Sequence, residues 1–174
     1  MSVHRTASSA ALYGDASLSD ITVRQSFDGD GNELATGESS VADLAPEETW
    51  AAYVPFPGDD AGAVASHELS GSVMEDVPSF YHPNLSFAEF TLDVTDEEAY
   101  IRGTVENEGD ESVDFLQVNG YFHEEKDVVL DSNTATTENL GAGESFSFEI
   151  PSEMPAFRRE RISSKTGSVT TEPL

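Results

Sequence analysis

The sequence predicts an all-β protein of two tandem β-sandwiches, the first lacking one or more N-terminal strands. Three observations lead there. Apolar residues recur with a period of two in short runs, turn residues interrupt them every ten or so positions, and no segment sustains a helical period. The third observation is an internal repeat. Gly14, Asp15, Ser17, Val23 and Phe27 match Gly109, Asp110, Ser112, Val118 and Phe122 at an offset of 95. Leu34, Leu44, Glu48 and Pro55 match Leu130, Leu140, Glu144 and Pro151 at an offset of 96, and Gly71-Ser72-Val73 matches Gly167-Ser168-Val169 at the same spacing. A constant register, broken by one residue gained in a turn, marks two copies of one unit.

The elements follow in order. Residues 1–13 are weakly patterned, and by the repeat they take the place of residues 96–108. Residues 18–27 form the first clear strand, with Ile21, Val23 and Phe27 on one face and Thr22, Arg24 and Ser26 on the other. Asp28-Gly-Asp-Gly-Asn32 is a hairpin turn of the Asp-Gly type. A polar strand returns over 34–41, and a third covers 50–54, where Trp50, Ala52 and Val54 alternate with Ala51 and Tyr53 before Pro55 and Pro57 end it. A weaker fourth strand spans 64–73. Phe80, Tyr81 and His82 lie between Pro78 and Pro83 in a candidate linker. The second unit is complete. Phe90, Leu92 and Val94 share a face, as do Ile101, Gly103 and Val105, then Leu116, Val118, Gly120 and Phe122, then Phe146, Phe148 and Ile150. Residues 158–169 close the unit. The domain reading is a partial sandwich over 1–74, a linker over 75–84 and a complete sandwich over 85–174. Trp50 aligns with Phe146 and is assigned to the core.

The charge balance is 34 acidic against 8 basic residues, a net of −26, and the acids are spread over turns and strand edges rather than gathered in a tail. Such a surface repels itself at low ionic strength and is screened at molar salt, where the Debye length falls to about 3 Å. The expectation is a protein of an extreme halophile. Nucleic acid is excluded as a partner, because phosphate binding needs a basic face. Without cysteine there are no disulfides. The longest apolar run is too short to span a bilayer. Residues 1–15 lack the apolar core of a signal peptide, so the chain reads as cytoplasmic as written. A cell-surface or secreted location is expected if the true start lies upstream with an export or lipoprotein signal.

The run Val105-Glu-Asn-Glu-Gly-Asp110, followed by Leu116–Phe122 and by Leu140-Gly-Ala-Gly-Glu144 before an aromatic strand, resembles the FxLYD domain family. The resemblance covers residues 85–169 and, in part, 14–73. The naming motif is reduced to an aromatic and a polar residue at Gly120-Tyr121-Phe122-His123 and Gln25-Ser26-Phe27-Asp28. A CARDB-like adhesion sandwich is similar in pattern. The resemblance implies immunoglobulin-like sandwiches, common in secreted and lipid-anchored haloarchaeal and bacterial proteins, and brings no catalytic residues or cofactor.

Candidate sites are few. Asp28, Asp30 and Asn32 resemble the opening of a calcium loop, but Ser39 stands where the bidentate Glu of an EF-hand belongs and strands flank the loop, so a plain hairpin turn competes. Arg158, Arg159, Arg161 and Lys165 hold half of all basic residues within eight positions. They form a candidate docking patch for an acidic partner or the other domain, against which stands simple pairing with the acidic surface. His4, His67, His82 and His123 show no zinc spacing, no Gly-x-Ser-x-Gly elbow occurs, and acidic pairs such as Glu124-Glu125 are too common to single out. The expected function is a non-enzymatic surface or protein-interaction module with an unknown protein partner and no cofactor. An accessory domain pair of a hydrolase or transport system is the alternative, and a carbohydrate binder using Tyr81 and Tyr121 as platforms is a third. A first domain short of a strand would expose an open sheet edge, a template for dimerisation.

Overall fold

The computed structural model describes residues 20–41, 44, 48–54, 61–68, 70–72, 82–125 and 128–171. The chain divides into two compact units, Met1–Val77 and Pro78–Leu174. The expected strand loss at the start of the first unit and most of the expected linker lie outside the described residues.

In the first unit, β1 (Asp20–Phe27) lies between β2 (Glu33–Ser40) on one side and the short strands β4 (Ser66–His67) and β5 (Ser70–Ser72) on the other, all antiparallel. Along β2 the half-buried positions are Ala35, Gly37 and Ser39, while Leu34, Thr36 and Glu38 are exposed. Small residues therefore form the inward row, and Leu34 faces out. The expected third strand shortens to β3 (Thr49–Trp50); residues 51–54 are half-buried without strand pairing. Trp50 is buried together with Val41 and Leu44. A 3-10 turn, Ala61–Ala63, precedes β4.

The second unit is a β-sandwich. One sheet has the order β10–β7–β6, from β6 (Leu85–Val94), β7 (Ala99–Asn107) and β10 (Ser145–Pro151). In the other, β8 (Val113–Glu125) pairs with β9 (Val128–Leu140) on one side and β11 (Ser164–Thr170) on the other. The core between the sheets is built from Ile101 and Val105 on β7, Phe148 and Ile150 on β10, and Leu116, Val118 and Phe122 on β8. The opposite sheet packs directly over Gly120. A Cβ there would stand 3.0 Å from Cδ1 of Ile150 and 3.1 Å from Cδ1 of Ile101.

A β-bulge decides the aromatic packing. Phe87 lies opposite Val105 and Glu89 opposite Thr104, so Ala88 is the extra residue. The bulge shifts the alternation by one, and Phe87 and Phe90 come to the same face with ring centroids 4.7 Å apart. Phe148 completes the cluster, 6.1 Å from Phe87 and 6.3 Å from Phe90. Phe146 is only half-buried, although its repeat counterpart Trp50 is buried. Phe27 is half-buried where Phe122 is fully buried, so the matched aromatics are not equivalent in depth. Val94, expected to share the face of Phe90 and Leu92, is exposed at the end of its strand.

The same arrangement recurs in both units: a central strand (β1, β8) between its hairpin partner (β2, β9) and the strands near the unit's end (β4 and β5, β11). The register differs from the sequence alignment, however. Val23 and Val118 stand 95 positions apart, but their partners Gly37 and Ala135 stand 98 apart. The alignment offset of 96 for the returning strand is thus short by two. A slip of two residues preserves which side chains face inward, which is why the sequence pattern does not detect it.

Candidate functional site

The Asp28 loop is a self-contained turn. The Asp28 Oδ1 accepts from the amides of Asp30 (2.9 Å) and Asn32 (2.8 Å), and Oδ2 accepts from Asn32 Nδ2 (2.9 Å). The Asn32 side chain and the loop amides hold the Asp28 carboxyl below its ordinary value. Both carboxylate oxygens thus face N–H donors, the environment of an Asx turn. A cation would need the same oxygens turned toward it. Among the described residues, no group of three or more His, Asp or Glu side chains could hold a metal ion.

The basic stretch does not form one surface patch. A single helical turn, α1 (Ala156–Arg159), buries Arg158 to 2 % exposure and aims its guanidinium at the Leu130 carbonyl, with Nη2 at 3.0 Å. Arg158 therefore leaves the expected docking set, because a cation buried against β9 cannot meet a partner. Arg159 is half-buried and donates to the Glu97 carbonyl in the β6–β7 turn. Arg161 forms a two-pronged ion pair with Glu124, one prong at 2.9 Å, which holds the Glu124 carboxyl below its ordinary value. The Lys165 Nζ lies 5.1 Å from the centroid of Phe90, a cation–π contact at the open side of the sandwich. All four cations are engaged within their own unit. The three arginines turn the 152–163 crossover into a strap joining the β6–β7 turn, β8 and β9.

The strap is latched at a carboxylate. Asp131 accepts from Ser152 Oγ at 2.8 Å and from the Glu153 amide at 3.2 Å. Its burial raises its pKa, partly offset by these bonds, the Ser132 amide and the charge of Arg158. At the opposite end of the sandwich, Asn107 is 1 % exposed. Its Nδ2 donates toward the carbonyls of Glu111 (2.8 Å), Leu140 (3.2 Å) and Gly141 (3.1 Å), and its Oδ1 accepts from the Gly109 amide (3.0 Å). The side chain pins the β7–β8 loop to the β9–β10 turn. The run Val105–Asp110, singled out in the sequence, is thereby explained as a loop clamp.

The central strand β8 is buried on both faces from Asn119 to His123. Asn119 donates to Ser168 Oγ at 3.1 Å, and His123 Nε2 shares a 2.8 Å hydrogen bond with Thr166 Oγ1. Tyr121 is only 6 % exposed, so it is not the aromatic platform expected of a carbohydrate binder. Tyr81 and His4 lie outside the described residues, His67 is exposed on β4, and His82 is half-buried before β6.

No family model, curated protein or solved structure matches the chain. No helix among the described residues is long and apolar enough to cross a membrane.

Proposed function

We propose that the chain is a non-enzymatic surface or protein-interaction module of an extreme halophile, built from two immunoglobulin-like sandwiches of FxLYD type. One observation carries the reading. Of the polar side chains of the second unit that a catalytic site would draw on, the buried Asn107 and Arg158 and the half-buried Asp131 are bonded to main-chain atoms of that unit, and the buried His123 to the Thr166 hydroxyl. They hold a scaffold together. The recurrence of one strand arrangement in both units supports the tandem-module reading, and the net charge of −26 supports the halophilic one. Burial of Tyr121 weighs against carbohydrate binding.

The test is cross-linking of the intact chain in cells of its source, followed by saturable binding between the purified chain and the recovered partner in molar KCl. A defined protein partner is the expected result, and a catalytic or transport chain in that role would assign the accessory version of the same function. Substrate turnover by the purified chain alone would overturn the proposal.

A further inference from the structure

Asn84-Leu85-Ser86 is the sole Asn-x-Ser/Thr triplet in the 174 residues, and its middle residue is not proline. That triplet is the acceptor pattern for Asn-linked glycans. The structure sets its asparagine at an exposed turn, with Leu85 and Ser86 half-buried at the start of β6. Asn84 is exposed, follows Pro83, and immediately precedes β6, an edge strand of its sheet among the described residues. The main chain there is held firmly, since the Asn84 carbonyl accepts from the Glu108 amide at 2.8 Å. The Asn84 side-chain amide makes no hydrogen bond among the described residues; it leans over Gly109, where a Cβ would stand 3.0 Å from Nδ2. The Ser86 hydroxyl donates to the Glu108 carboxylate at 2.7 Å, so both polar residues of the triplet are tied to Glu108.

We infer that Asn84 is an N-glycosylation site, an inference that rests on the surface location proposed above. The co-reactant is an oligosaccharide carried on a lipid phosphate. The Nδ2 of Asn84 attacks C1 of the first sugar and forms the N–C1 bond. The C1–O bond to the lipid phosphate breaks, the phosphate leaves with the electron pair, and Nδ2 loses one proton to a base of the transferase. The glycan has a physical consequence. Placed at the start of β6, it covers an end of a strand edge whose unpaired N–H and C=O groups would otherwise template edge-to-edge association.

The experiment is peptide mapping by mass spectrometry of the full chain purified from its native source, with the cell envelope and cytosol analysed separately. Sugar-mass increments on the peptide carrying Asn84 are expected in the envelope fraction. Asn84→Gln and Ser86→Ala should abolish them, and Ser86→Thr, which keeps the hydroxyl, should retain them. An envelope-located chain with unmodified Asn84 overturns this inference and leaves the proposed function standing. A chain confined to the cytosol and unmodified overturns this inference together with the surface location it rests on, and leaves the protein-interaction reading to its own test. Loss of the increments in Ser86→Thr together with their persistence in Asn84→Gln would place the modification elsewhere and also overturn it.

Discussion

Asn107 offers two N–H groups to three carbonyls and receives one amide in return, all at a buried position. Removing it leaves buried main-chain groups without partners, so Asn107→Ala should cost about 2–3 kcal/mol. Asn107→Asp is the sharper test. It sets a carboxylate against carbonyl oxygens, so its destabilisation should exceed that of Ala at neutral pH and shrink as the pH falls below the carboxylate range. Denaturant midpoints in molar KCl at several pH values would read this; equal effects for the two variants would mean Asn107 is not the clamp. Asp131 carries the opposite linkage from a paired surface acid. Burial raises its folded pKa above the unfolded value, so the native state holds the proton more tightly. The stability it contributes is full below the ordinary carboxylate value and is lost as pH rises through the raised one. Asp131→Asn should remove that loss, so the difference in stability from the parent should widen with rising pH across this window and then level off. A constant difference across the same series would exclude the carboxyl as its source.

Gly103 shows what an element demands of one residue. The bulge at Ala88 brings the Glu89 carbonyl against β7, and Phe148 presses on the same point from β10. A Cβ at 103 would fall on that carbonyl oxygen and 2.7 Å from Cζ of Phe148. Gly103→Ala should therefore cost about 1–3 kcal/mol through forced repacking. Combining it with Phe148→Leu should recover part of the coupling but not all, because the backbone of the bulge cannot yield as a ring can. Full recovery in a double-mutant cycle would mean that the ring alone is the obstacle. The strand elements were largely legible in the sequence. The period of two located β1, β6, β7, β8 and β10 within a few residues, because apolar residues alternate along each of them in the sequence. It failed at α1, since a four-residue helix is little more than one turn and leaves no period to read.

Over the whole molecule, charge dominates. The five cations described in the second unit (Arg102, Arg158, Arg159, Arg161 and Lys165) are all engaged within that unit, Arg102 with Asp93 and Glu149 at 2.6 Å each. The remaining acids, out of 34 in the chain, have few cations left to neutralise them. Thermal melts followed by circular dichroism should therefore show the midpoint rising from about 0.1 M to about 3 M KCl, as the Debye length contracts from about 10 Å to below about 3 Å. An unchanged midpoint would count against halophilic adaptation. Surface pairs such as Arg161–Glu124 should contribute little at the high-salt end, where exposed ion pairs are screened.

The sequence by itself determined the all-β class, the duplicated strand arrangement, the turn at Asp28–Asn32 and the acidic surface. These depend on local alternation, on turn chemistry and on composition, all of which are present before the chain folds. Only the tertiary structure decided that Phe87 joins Phe90, that β8 is buried on both faces, and that the returning strand pairs two residues away from its aligned register. It also turned Arg158 from an apparent surface cation into a buried strap. The reason is common to all four. A bulge changes the parity of a strand, a two-residue slip leaves parity intact, and burial depends on what packs against a side chain from elsewhere in the chain; a period of two within one strand reports none of these.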